Sequence, residues 1–277
     1  MSTQAHISAS AFLVNESRAR NVALSGDKYA KLWVNEETRR LWEDFSREVY
    51  PHDAVELGCR NRFFLERMRA QLGDNGLGAL VNIAAGFTSY PFLIDSPVPC
   101  FEVDLAPVVA IKCQAISRWQ REGVLPVRNI EFICADLSDA TDQTAMQQRL
   151  ADRLDGLTSF FLMEGLTYYL EPEMFSRLLT RCAELQPPGS ILAFDFWTPD
   201  VLDHPVFQRF REFCASRFGH DREQYNLLAL DDMAAVDGYE LVELTDIQQL
   251  EVEFAGTRVL ANFQEILPEN YVVLRRV

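Results

Sequence analysis

The chain lacks several things that would assign it to common classes. No stretch approaches the ~18 consecutive apolar residues of a membrane span, because Gly, Asn or Glu interrupts every candidate run. The N-terminus (Met1-Ser-Thr-Gln-Ala-His-Ile) has no basic start followed by an apolar block, so no secretory signal is expected. Six cysteines are scattered without a Cys-x-x-Cys pair and without histidine at ligand spacing. That pattern predicts reduced, buried thiols in a cytoplasmic protein and no metal centre. Positive charge is also scarce: 26 Lys and Arg face 41 Asp and Glu, a formal net charge of −15. Nucleic acid and anionic membrane are therefore excluded as main partners. Gly-x-Gly-x-x-Gly is absent too, which argues against a dinucleotide pyrophosphate on a helix N-terminus.

What is present is a core-forming chain of 277 residues, 48% hydrophobic, suited to one large α/β domain. Residues 1–15 read as loosely structured, and the text turns helical from Glu16. A helix is expected over Glu36–Val49, closed by Pro51. Leu57-Gly58 reads as a break before a further helix over Asn61–Leu72, and 73–78 as a loop. From Ala79 strands and helices alternate. Strands are expected at 79–84, 99–103, 130–135, 157–163 and 191–196, with helices at 107–120, 144–154 and 174–185. This rhythm predicts a mostly parallel, Rossmann-like sheet. A polar and aromatic stretch, 198–236, breaks it as a helical insertion, and Tyr239–Leu250 with Asn270–Arg276 reads as a final antiparallel hairpin. The expected division within one domain is a helical cap (1–78), a cofactor-binding core (79–197), an acceptor-side insertion (198–236) and the final strands (237–277).

The ends of the first four strands carry groups that suit one ligand. In Ala84-Ala-Gly86, small side chains let another molecule approach the backbone closely. Asp104 closes the second strand eighteen positions after Gly86, near the spacing at which an acid takes ribose hydroxyls in open α/β sheets; it also suits a helix N-cap. Asp136 can accept from an exocyclic amine while Leu137 packs on a purine face. Glu164, set in apolar sequence, needs a partner and can accept from an ammonium group. Arg60 can pair bidentately with a carboxylate. A molecule with a purine amine, a ribose, an ammonium and a carboxylate is S-adenosylmethionine.

These residues carry a family resemblance. Cys59-Arg-Asn-Arg-Phe-Phe64 is similar to an Ala-Arg-Thr-Arg-Phe motif, and Val81-Asn-Ile-Ala-Ala-Gly-Phe-Thr-Ser89 to Val-x-Leu-Gly-Ala-Gly-x-Asp-Thr. Phe101-Glu-Val-Asp104 matches a Glu-Val-Asp ribose motif, Ala135-Asp-Leu137 an Asp-Leu adenine motif, and Glu164-Gly-Leu-Thr-Tyr-Tyr-Leu170 a Glu-Gly-x-x-x-Tyr-Leu signature. With Ala23–Ala30 resembling an upstream Asp-Pro-x-Ala segment, the chain from Glu16 to Leu192 resembles the leucine carboxyl methyltransferase family of S-adenosylmethionine-dependent enzymes. The resemblance implies a class I methyltransferase sheet. It also places Arg60 on the methionine carboxylate and Lys112 at the position expected downstream of the ribose motif. Two departures stand out. Ala84 replaces the first glycine of the turn, adding a methyl that leaves close approach open if its backbone stays at negative φ, and Thr88 stands where the family usually has Asp.

The resemblance implies methyl transfer to oxygen, foremost on a carboxylate and otherwise on a hydroxyl, of a small organic acid or polyketide-like acceptor. A carboxylate, ionised at pH 7, needs no base; a hydroxyl does, and Tyr168, His204 and His220 are the candidates near the acceptor. The phenylalanines of the insertion (Phe207, Phe210, Phe213, Phe218) suggest an apolar acceptor. The competing expectation is a methyltransferase fold kept only as a binding module or cofactor sensor.

Overall fold

The computed structural model describes residues 3–73, 76–218 and 225–277. Four helices precede the sheet: α1 (Thr3–Arg20), α2 (Val22–Ser25), α3 (Glu36–Glu48) and α4 (Asp53–Gln71). Then follow β1 (Ala79–Ile83), α5 (Tyr90–Leu93), β2 (Cys100–Asp104), α6 (Ala106–Arg121), β3 (Ile130–Cys134), α7 (Ala140–Leu154), β4 (Ser159–Met163), α8 (Pro172–Leu185) and β5 (Ile191–Trp197). The chain ends with α9 (Pro205–Phe218), β6 (Tyr239–Asp246), α10 (Ile247–Leu250) and β7 (Glu269–Arg276). No described helix is long and apolar enough to cross a membrane.

The seven strands form one sheet in the order β3-β2-β1-β4-β5-β7-β6. The first five are parallel, and β7 pairs antiparallel with both β5 and β6. β1, β4 and β5 are buried along their whole length. Their near-continuous apolar text is what a parallel sheet covered on both faces requires. Local chemistry sets the helix ends. Asn35 caps α3 in a reciprocal box with Thr38, Asp139 caps α7, and Pro107 and Pro172 sit in first turns that need no N–H from them.

Two helical expectations fail. Residues 3–15 belong to a regular helix, α1, which packs against α3 and α4. Gly58 does not break the chain but lies inside α4. A Cβ there would stand 3.1 Å from Leu24 Cδ2, so the glycine is a contact point for α2, not a terminator. The expected strand over 239–250 also stops at Asp246, whose side chain caps α10. The cysteine expectation holds only in part: Cys59, Cys100 and Cys182 are buried free thiols, whereas Cys113 and Cys134 are exposed.

Candidate active site

Strand order reverses between β1 and β4, and the loops leaving their carboxyl ends part there. Such a switch point is where open α/β sheets hold ligands. A cavity of about 490 Å³ opens there, walled by α1, α4 and the insertion. All seven residues singled out for the cofactor, Arg60, Ala84, Gly86, Asp104, Asp136, Leu137 and Glu164, line it.

The turn after β1 is built differently from expectation. Ala84 is left-handed, with φ 57°, and Gly86 follows at φ 46°. A left-handed residue carrying a Cβ costs about 1–2 kcal/mol, and the surroundings hold Ala84 there. The Ala85 N–H donates to Val103 O at 3.0 Å. Thr88 Oγ1 accepts from Asn82 Nδ2 at 2.8 Å and donates to Ala85 O at 2.9 Å. Thr88 thus ties the turn to β1 from the position where an acid was expected. Buried Lys112 reaches Ala85 O at 3.4 Å and pairs with Glu102 at 2.8 Å. A Cβ at Gly86 would meet only Ala11 Cβ, at 3.8 Å, so this glycine supplies φ and an open backbone.

Asp104 accepts from the Gly86 N–H through Oδ2 and from the Leu105 N–H through Oδ1, both at 2.7 Å. Burial raises its pKa, and these two donors partly offset the shift. Asp136 is exposed at the next strand end, where its Oδ1 accepts from Ser138 N and Oγ. Leu137 beside it is buried. An acid between two backbone donors and an apolar side chain next to an acid fit a ribose diol and a purine ring.

The charged end of the cavity is denser than the sequence suggested. Glu164 accepts from Arg18 Nη2 at 2.5 Å and Arg60 Nε at 3.0 Å, and from Tyr90 OH at 2.6 Å. Burial pushes its pKa up, but the two arginines and Tyr90 outweigh burial and hold it below the ordinary range. Arg60 Nη1 also reaches Asp195 at 3.2 Å and Glu269 at 3.1 Å. Arg18 escaped the sequence reading, which took the text from Glu16 onward only as polar helix. It is 2% exposed, and its Nε and Nη1 have no hydrogen-bond partner among the described residues. Buried unpaired guanidinium nitrogens are rare, and two of them on a cavity-lining arginine have the chemistry to take an anion.

Around these two arginines stand five buried carboxylates: Asp53, Glu56, Glu164, Asp195 and Glu269. Asp195 and Glu269 were not singled out from sequence, although an acid inside Phe194-Asp-Phe196 is the same signal that marked Glu164. Burial, then the neighbouring Glu269, pushes Asp195 well above the carboxylate range. Glu56 is raised for the same two reasons, although Tyr50 and Arg60 oppose the shift. Asp53 is moved by burial to about 6.

The rest of the wall is aromatic. Tyr168 stacks on Trp197 with centroids 4.0 Å apart, and Phe45, Phe210, Phe218 and Tyr225 complete that lobe. Phe207 and Phe213 of the insertion are instead packed in the core beneath it. Tyr168 lies in the cavity with its hydroxyl 3.4 Å from Glu269. His204 does not line the cavity: it is buried edge-on against Phe263. His220 lies outside the described residues.

With this geometry in hand, the comparisons are specific. The family model described as leucine carboxyl methyltransferase matches residues 6–183. The chain belongs to the leucine carboxyl methyltransferase family. A protein of Mycobacterium sp. strain JLS, named "Putative S-adenosyl-L-methionine-dependent methyltransferase", is 29% identical over 189 residues, 66% of this chain. A Mycobacterium marinum relative of the same name is 29% identical over 187 residues. The chain spans about three-fifths of these relatives, 59% of the first and 60% of the second. A crystal structure from Thermobifida fusca, described as "a putative methyltransferase", superposes with TM-score 0.64 at 14% identity, covering 94% of each chain. A DUF574 family protein from Streptomyces avermitilis does so with TM-score 0.61 at 18% identity, covering 95% of this chain and 97% of its own. The fold is the class I methyltransferase fold.

Members of this family depend on S-adenosylmethionine, and the residues of this member fit it. The unpaired nitrogens of Arg18 suit the amino-acid carboxylate, with Arg60 beside them. Asp104 and the open backbone at Gly86 suit the ribose, and Asp136 with Leu137 suits the adenine.

Proposed function

We propose that this chain binds S-adenosylmethionine at the β1–β4 strand ends and transfers its methyl group to an oxygen of a small acceptor held in the aromatic lobe. The observation that carries the reading is the convergence of Arg18, Arg60, Asp104, Asp136 and Glu164 on one cavity that continues into an aromatic chamber. S-Adenosylmethionine supplies a sulfonium methyl already activated for displacement. What remains for the protein is to align the acceptor and exclude water. Glu164, locked by Arg18, Arg60 and Tyr90, fixes both arginines in place. Phe210 and Phe218 from α9 and Tyr225 give the chamber an apolar wall that suits an aromatic or polyketide-like body. Glu56, Glu269 and Asp53 border the same cavity. An acceptor carboxylate would add one more negative charge beside them, so a hydroxyl is the favoured nucleophile.

Methyl-labelled S-adenosylmethionine, offered with a panel of small phenols, alcohols and acids, tests this reading. Label should pass to a hydroxyl compound, and replacing Phe210 with Ala should weaken acceptor use while cofactor affinity stays within about twofold of wild type. Tight cofactor binding with no label transferred to any compound would favour a cofactor-binding module instead.

A further inference from the structure

Among the described residues the cavity holds more acid than its cations can balance. Glu56 and Glu269 lie on its wall and are 3% and 2% exposed. Glu269 shares Arg60 Nη1 with Asp195, and Glu164 takes Arg60 Nε and Arg18 Nη2. Among the described residues no arginine lies within ion-pair distance of Glu56: its Oε2 accepts from Tyr50 OH, and Arg60 acts on it only from farther off. Asp53, one turn before Glu56 on α4, has Oδ2 held by Ser17 and Trp42 and Oδ1 unpaired. The groups facing Glu56 are therefore Tyr50 from the segment after α3, Asp53 and Arg60 from α4, and Glu269 from β7. Arg18 and Glu164 stand beyond Arg60, and Tyr168 and Tyr271 donate to Glu269. Two arginines cannot neutralise five buried carboxylates, and unpaired buried charge is the costliest state available to them. Among the described residues Glu56 and Asp53 are the two of these five with no arginine in ion-pair range, and Glu56 also faces Glu269, so it is Glu56 that must hold a proton in the ligand-free protein.

Resting on the proposed function, we infer that Glu56, facing Glu269, trades this proton against the positive charge of the cofactor: it releases the proton when S-adenosylmethionine binds and takes one from the acceptor hydroxyl during transfer. S-Adenosylmethionine carries a sulfonium, whereas S-adenosylhomocysteine carries a neutral thioether and is otherwise alike. Bringing a fixed positive charge into the cavity favours the ionised Glu56 carboxylate, and the pKa of Glu56, raised by burial and by Glu269, agrees with this. In transfer the methyl carbon exchanges its bond to sulfur for one to the acceptor oxygen, and sulfur keeps the electron pair. The hydroxyl proton goes to Glu56. The cavity then keeps the same total charge before and after, with the proton standing in for the lost sulfonium. Glu56 thereby serves as the general base that His204, away from the cavity, does not supply.

Calorimetric titration at pH 7 in two buffers of different ionisation enthalpy counts protons exchanged on binding, without turnover. The wild-type protein should release more protons with S-adenosylmethionine than with S-adenosylhomocysteine, the difference approaching one per site. In Glu56→Gln, which keeps an acceptor for Tyr50, that difference should vanish while both ligands still bind. The mutant's methyl-transfer rate should also lose its rise with pH. Equal proton counts for the two ligands in the wild type overturn the inference, as does an unchanged difference in Glu56→Gln. Failure of both ligands to bind the wild type would overturn the cofactor reading itself, a result distinct from equal counts with tight binding.

Discussion

Replacing Arg18 with Gln separates its two possible roles. If Arg18 serves only to neutralise Glu164, its loss is a matter of folding, because Arg60 and Tyr90 still donate to that carboxylate. If its Nε and Nη1 await an anion, ligand affinity falls as well. Each charge-assisted hydrogen bond is worth about 1.5–3 kcal/mol. Losing even one weakens binding by roughly 10-fold to 150-fold at about 1.4 kcal/mol per decade. Calorimetry with S-adenosylhomocysteine gives the dissociation constant directly, and far-UV circular dichroism with a melting curve confirms that the variant is folded. Arg18→Lys retains the charge but not the planar fork, so its affinity should fall between the two. A folded Arg18→Gln protein that binds S-adenosylhomocysteine as tightly as wild type would refute the assignment of the carboxylate to Arg18.

Three further perturbations follow from the geometry. Ala84→Gly should raise stability by up to about 1 kcal/mol, since glycine adopts φ 57° without the Cβ penalty; urea unfolding would show it, and a loss of stability would mean that Ala84 is not strained. Lys112→Met leaves buried Glu102 without its counter-charge and should cost about 3–5 kcal/mol, with part of that recovered by adding Glu102→Gln; a neutral single mutant would contradict the pairing. Asp53 ionises near ~4 when unfolded but near about 6 when folded, because burial outweighs the Ser17 and Trp42 donors. Across that window the folded state binds more protons, so its contribution to stability falls as pH rises, by roughly 3 kcal/mol in all. Asp53→Asn should flatten the stability profile between pH 4 and 6, and an unchanged profile in urea titrations would count against the shift.

Much of this was legible in sequence for a definite reason. A ligand-binding strand end is a local event: a buried run, a small-residue turn and an acid lie within a few residues of one another. Gly86, Asp104, Asp136 and Glu164 could therefore be picked out without knowing their neighbours. Arg18 could not, because its importance comes from a contact with Glu164 that spans 146 positions and its helix carries little apolar periodicity. Gly58 was misread because a glycine that admits a neighbouring side chain and one that ends a helix look alike in text. Alanine as a residue type favours negative φ, yet at Ala84 the Thr88 and Lys112 contacts to Ala85 O accompany a left-handed backbone. The acid surplus is a sum over α4, β4, β5 and β7, and no single segment displays it.

The most direct test of the site is thermal unfolding with saturating S-adenosylhomocysteine, for wild type and for Asp104→Ala. At about 100 times its dissociation constant a ligand stabilises by roughly 2.7 kcal/mol, a shift of several degrees. The wild type should show that shift, and the folded mutant, stripped of its ribose acceptor, should lose most of it. A wild-type protein that ignores the ligand, or a mutant that responds as the wild type does, would contradict the placement of the cofactor at the ends of β1 and β2.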